Sequence, residues 1–145
     1  MSLTVLNRHD LAQHFTVSAA LTVSAGSGLA SAIGLFKELD DSRDGTGFSF
    51  DDLLADRAGV RLAEFATETE QYAWVLQQRM SGKLSESDFM PPTDKLPPSI
   101  MELEFKQRYR DLDSEKYGLV DDEIERRIQR CRVYQPPGQG RAGRY

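Results

Sequence analysis

The sequence predicts an all-α protein: a compact bundle of five to six helices, with an N-terminal helical hairpin and a proline-rich irregular segment. Three observations carry this expectation. Apolar residues recur at three- and four-residue spacing through most of the chain. Helix-start patterns such as Ser49-x-x-Asp52 precede those runs. Glycine and proline cluster between the runs, at Gly26 and Gly28, Gly45 and Gly47, and Pro91 to Pro98.

The elements follow in order. Helix one is expected over about 10–24, with Leu11, Phe15, Ala19 and Thr22 on one stripe and Val17 and Leu21 adding bulk. Helix two is expected over about 29–41, with Leu29, Ile33 and Phe36 as its apolar face and Leu39 extending it. A polar glycine loop, 42–47, leads to Ser49, which opens helix three ahead of Leu53, Leu54, Val60 and Leu62. Helix four, about 67–80, offers Tyr72, Trp74, Val75 and Leu76, and Phe65, Tyr72 and Trp74 read as core. The irregular segment 81–98 docks through Phe89, Met90 and Leu96. Helix five covers about 99–110, with Ile100, Leu103, Phe105 and Tyr109. Helix six covers about 120–132. Asp121, Asp122 and Glu123 open it and Arg126, Arg127, Arg130 and Arg132 close it, which suits the helix dipole. Ile124, Ile128 and Cys131 form its core stripe. A single domain is expected over 1–134, divided into a motif-bearing unit (8–64) and C-terminal helices (66–134). A flexible tail follows over 135–145.

At 145 residues the chain is long enough for one hydrophobic core. Eighteen Lys and Arg against 23 Asp and Glu give a net charge of −5, which argues against nucleic acid as a partner. A single cysteine, Cys131, excludes an internal disulfide and any multi-cysteine metal site. On its apolar stripe it reads as a buried structural thiol. Two histidines, His9 and His14, exclude centres that need three. Ahead of Lys37 the only formal charges are Arg8 and Asp10, and the 22 residues from Phe15 to Phe36 carry none. That length would span a bilayer. Its Ser, Thr and Gly content fits a buried hairpin better, although insertion of residues 15–36 into a membrane remains an alternative.

One polar constellation stands out. His14 lies 12 residues before Gly26 and Glu38 lies 10 after Gly28. At ~1.5 Å of rise per residue, an antiparallel hairpin puts both about 15–18 Å from the turn, at one level. The next chain reversal brings Asp52, and Asp56 one turn deeper, to that same level. His14, Glu38 and Asp56 are the candidate catalytic or metal-ligating set. Asp10 and Ser18, four residues either side of His14, share its face, and Asp10 is expected to hold the imidazole. Small residues, Ala30 and Gly34 on helix two and Gly59 and Ala63 on helix three, would let the helices approach around this set.

The motifs Asp10-x-x-x-His14-Phe15, Gly34-x-x-Lys37-Glu38-x-x-Asp41 and Asp52-Leu53-x-x-Asp56-x-x-Gly59 resemble those of uncharacterised proteobacterial periplasmic lipoproteins. More distantly, they resemble those of the VanZ-like membrane proteins. The resemblance covers about residues 10–60. It matches His14, Glu38 and Asp56, adds Lys37, Asp41 and Asp52 as supporting positions, and departs at Leu11, where those families carry Lys. It implies a periplasmic or cell-envelope setting, or a cytoplasmic one if no signal or anchor precedes the chain, and it supplies no reaction.

Other signals are weaker. Residues 41–52 resemble an EF-hand loop but put Arg43 at loop position three, a ligand position, and Thr46 where glycine makes the turn. Residues 113–124 put Ile124 in place of the bidentate glutamate. Ser18 beside His14 lacks a nucleophile elbow. The expected function is therefore a non-catalytic, envelope-associated helical module whose His/Glu/Asp cluster fixes helix packing. A small metal-dependent or acid–base hydrolase-like enzyme built on the same cluster is the alternative. No cofactor is expected on the first reading, and a divalent metal fits the second. The partner is a protein or envelope component, or the membrane itself.

Overall fold

The computed structural model describes residues 3–44 and 47–137 and, among these, forms a bundle of six α-helices with no strand. The N-terminus enters through a tight turn in which Val5 and Arg8 exchange backbone hydrogen bonds around Leu6 and Asn7, both at positive φ. Helix α1 is His9–Ala25 and α2 is Ser27–Asp44. Gly26 alone joins them. Its φ of 89° lets the chain reverse while its N–H caps the Thr22 carbonyl.

The burial of α2 overturns the sequence expectation. Leu29, Ile33 and Phe36 are exposed, Phe36 at 69 %, and the buried stripe is Ala30, Gly34, Glu38 and Ser42 at four-residue steps. Close approach is the reason. A Cβ at Gly34 would lie 2.8 Å from Asp56 Oδ2, so a large side chain has no room on that face. On α1, Leu11, Ala12, Phe15, Ser18 and Thr22 are buried, whereas Val17 points outward.

Helix α3, Phe50–Thr67, is the central element and packs on α1, α2, α4 and α6. Ser49 caps it, Oγ accepting from the Asp52 N–H at 3.2 Å, as the sequence predicts. At Gly59 a Cβ would collide with the Phe15 carbonyl, so α1 and α3 touch backbone to backbone there. Helix α4, Glu70–Met80, lies on one flank of α3 through Tyr72, Val75 and Leu76, with Tyr72 edge-on to Phe65. Trp74 sits on the opposite side of that helix and is 61 % exposed, so it is not core.

The proline-rich segment wraps back through a 3-10 turn, Glu86–Asp88. It buries Met90 and sets Phe89 edge-on to Phe15. An antiparallel bridge, Phe48 to Ile100, ties it to the start of α3. Helix α5 is Glu102–Tyr109, shorter than expected; Phe105 and Tyr109 are buried and Leu103 is exposed. Helix α6, Glu115–Gln129, starts several residues earlier than expected because Ser114 caps it. Asp121 therefore lies inside the helix, where it and Glu125 pair with Arg57 of α3 instead of opening a first turn. Phe48, Phe50, Phe105, Tyr109 and Tyr117 form an aromatic core between α3, α5 and α6.

Chain order extends past the expected tail boundary. Tyr134 is buried and its hydroxyl donates to the Phe89 carbonyl at 2.6 Å, and Gln135 Nε2 donates to the Gln129 carbonyl at 2.7 Å. The rest of the expected tail, 138–145, and loop residues Gly45 and Thr46 lie outside the described residues.

Candidate functional site

Three helices carry the site. α1 supplies His14 and Ser18, α2 supplies Lys37 and Glu38, and α3 supplies Asp52 and Asp56. One ligating atom from each of His14, Glu38 and Asp56 falls within 4.8 Å of the others, as the spacing argument requires. Glu38 is completely buried, Asp56 is 4 % exposed, and the His14 side chain is 11 % exposed.

Asp56 is the hub. Its Oδ1 accepts from Ser18 Oγ at 2.7 Å and faces His14 Nδ1 at 3.1 Å. A carboxylate can only accept, so Nδ1 carries the proton in this contact and the imidazole is oriented by Asp56. The other ring nitrogen, Nε2, lies 3.7 Å from Asp52 Oδ2. Burial pulls the His14 pKa down, but the hydrogen bond and charge of Asp56, with the charge of Asp52, outweigh it and raise the value above the ordinary one. Ser18 bonds to the acid and not to the imidazole. The order serine–aspartate–histidine is therefore wrong for a nucleophilic triad, in which histidine takes the serine proton.

Glu38 is held differently. The backbone N–H of Ser49, at the start of α3, donates to its Oε2 at 2.9 Å. Its Oε1 is buried with no hydrogen-bond partner; the nearest cation, Lys37 Nζ, is 3.8 Å away and is turned to Asp41 at 2.6 Å. Burial raises the Glu38 pKa to about 7. The Ser49 N–H opposes the shift and the Asp52 charge adds to it. Asp52 is also raised, chiefly by burial, with His14 opposing. Asp52 Oδ1 and Asp56 Oδ2 likewise lack hydrogen-bond partners. Three acidic side chains thus each bury one oxygen that no hydrogen bond satisfies, that of Asp52 lying 3.5 Å from Arg8.

Asp10 does not hold the imidazole. Arg8 takes it, Nε donating to each carboxylate oxygen at 3.2 Å and Nη2 to Oδ2 at 2.6 Å, and reaches on to Asp51 at 2.6 Å and Asp52 at 3.5 Å. Sequence reasoning misses Arg8; its only signal is its place as the sole cation before Lys37. Asp41 serves Lys37 and not the cluster. α2 continues helically through Asp44, so the first positions of the supposed calcium loop are helix and cannot wrap an ion. The other EF-hand-like stretch, 113–124, is helical from Glu115 onward as the first part of α6. Cys131 is buried, and burial raises its thiol pKa to about 11, as a structural thiol requires.

A pocket of about 230 Å³ opens beside the cluster between α1 and α2. His14, Ser18, Asp56 and Lys37 form one end, and Val17, Leu21 and Ile33 form its walls. In the sequence, the α1 part of those walls shows only as apolar residues four apart that the core stripe does not need. No helix among the described residues is long and apolar enough to cross a membrane. No protein-family model, curated protein or solved structure matches this chain.

Proposed function

We propose that the protein is a helical module that binds a divalent cation through His14, Glu38 and Asp56, with Asp52 balancing charge beside them. The reading is carried by one observation: Glu38 Oε1, Asp56 Oδ2 and Asp52 Oδ1 are buried without a hydrogen-bond partner, and one ligand atom each of His14, Glu38 and Asp56 lies within 4.8 Å of the others. A carboxylate oxygen stripped of water and left without a donor costs several kcal/mol. A cluster that only fixed helix packing would be better served by amides or apolar side chains. A divalent ion held by His14, Glu38 and Asp56 offsets the cost for both of those acids, and it displaces the proton that the imidazole otherwise takes. Carboxylates with one imidazole suit Mn²⁺, Fe²⁺, Zn²⁺ or Mg²⁺, and the set lacks the sulfur that Cu⁺ prefers.

The test is elemental analysis of the full chain after purification and gel filtration, followed by Mn²⁺ and Zn²⁺ titration calorimetry. Stoichiometric uptake by the wild type, lost in Glu38→Gln and Asp56→Asn, supports the reading. Equal uptake by wild type and both variants, or none by any, removes it and returns the cluster to a purely structural role. The envelope setting, and an envelope component as partner, are part of the same proposal. They rest on the resemblance of residues 10–60 alone, and fractionation of cells that express the tagged chain is their test.

A further inference from the structure

The pocket beside His14 is graded in polarity along its length. His14 on α1 and Lys37 on α2 face each other at one end. Ser18 and Gly34 follow at mid-length, and Leu21 and Ile33 close the other end in the direction of the Gly26 turn. The antiparallel hairpin produces this order, because α1 runs from charged to apolar toward the turn and α2 does the same in reverse. Gly34 keeps the middle of the groove open: it lines the pocket with no side chain, and a Cβ there would meet Asp56. Val17 and Ile33 are more than two-fifths exposed, so the apolar end is reached directly from outside.

We propose that this groove binds a single-chain amphiphile of about eight carbons, its anionic oxygen head at the His14–Asp56 end and its chain along Val17, Leu21 and Ile33. The proposal rests on the cation reading, since the bound ion supplies the positive charge that meets the head. Two measures bound the size. From His14 to Leu21 is seven residues, or ~10 Å of helix, and a fully extended chain covers about 1.2 Å per bond. A volume of about 230 Å³ holds seven or eight groups the size of water, at ~30 Å³ each, so the head and most of the chain fit inside and the chain end emerges past the exposed Val17 and Ile33. Lys37 at the rim adds a cation on the same side as the head.

The experiment uses the full chain loaded with Mn²⁺, its metal content measured on the same sample. Octanoate, octyl phosphate, butanoate, inorganic phosphate and octylamine are titrated by calorimetry. Octanoate or octyl phosphate is expected to bind at least tenfold more tightly than butanoate, phosphate or octylamine, and the better of the two identifies the head. The variant I33K, at an exposed position, is expected to keep its metal and lose at least tenfold in affinity for the eight-carbon ligand. Equal binding of octanoate and butanoate, equal binding of octylamine, or an unchanged I33K overturns the groove. If metal-loaded protein binds no eight-carbon anion, the groove falls and the cation reading stands. If the protein takes up no metal yet prefers octanoate and loses it in I33K, the cation reading falls and the groove stands with His14 and Lys37, in place of an ion, meeting the head.

Discussion

Replacing Glu38 by glutamine should make the metal-free protein more stable while abolishing metal binding. In the wild type Glu38 is buried, with one oxygen on the Ser49 N–H and the other bare. Its pKa of about 7 against the ordinary 4.5 means that the folded state binds this proton more tightly than the unfolded state. Stability from this group is therefore full below about pH 4.5 and is lost as pH rises to about 7. At 1.36 kcal/mol per pH unit the loss is about 3 kcal/mol. Glutamine keeps an acceptor for Ser49, never ionises, and offers an amide donor to the bare acids nearby. In chelator at pH 8 the variant should melt roughly 6–12 °C higher than wild type, using about 2–4 °C per kcal/mol for a chain near this size. At pH 4 the two should coincide. With Mn²⁺ at about 100 times its Kd, wild type gains ~2.7 kcal/mol and the variant gains nothing, so the difference in stability nearly closes. Calorimetric melts across pH, with and without metal, are the assay. A variant less stable than wild type at pH 8 in chelator refutes the reasoning, because the charged carboxylate would then be a favoured guest of its site.

Other consequences can be read in the same way. Gly59→Ala pushes a methyl into the Phe15 carbonyl and should destabilise at or above the top of the usual ~1–3 kcal/mol overpacking range, read by urea denaturation. Phe36→Ser should change stability by no more than about 0.5 kcal/mol, whereas Leu54→Ala at the fully buried α3 face should cost about 2–5 kcal/mol. The contrast tests the orientation of α2. Cys131 should resist iodoacetamide at pH 8 in the folded protein and react within minutes in urea, followed by mass spectrometry.

Much of the bundle is legible in the sequence because its signals are local. The Ser49 cap, the Gly26 turn and the Ile124–Ile128–Cys131 stripe depend on neighbours a turn away, and all three appear as expected. The meeting of His14, Glu38 and Asp56 is legible for a related reason: helix rise and two chain reversals fix their levels. The face of α2 is not legible. Periodicity ranks residues by hydrophobicity, whereas α2 is positioned by how near its backbone comes to α3, and Ala30 and Gly34 decide that. The role of Asp10 is hidden for another reason. Helical spacing favours His14 as its partner, but Arg8, two residues before it at the end of the positive-φ turn of Leu6 and Asn7, takes it. The start of α6 is hard to place because Ser114 outcompetes the later acidic run as a cap.

The small-residue stripe on α2 also sets how that helix is fastened. Ala30, Gly34, Glu38 and Ser42 contribute little oily area, and only the half-buried Leu35 and Leu39 add to it, so α2 should be the cheapest of the first three rods to lift from its neighbours. Once lifted, Glu38 regains water and loses its penalty, which lowers the cost of opening further. A bound ion works against this by gripping Glu38 from across the gap. Amide hydrogens of α2 should then exchange with deuterium much faster in chelator than in Mn²⁺, while those of α3 hardly notice, and the ion would act as the latch on a hinged panel.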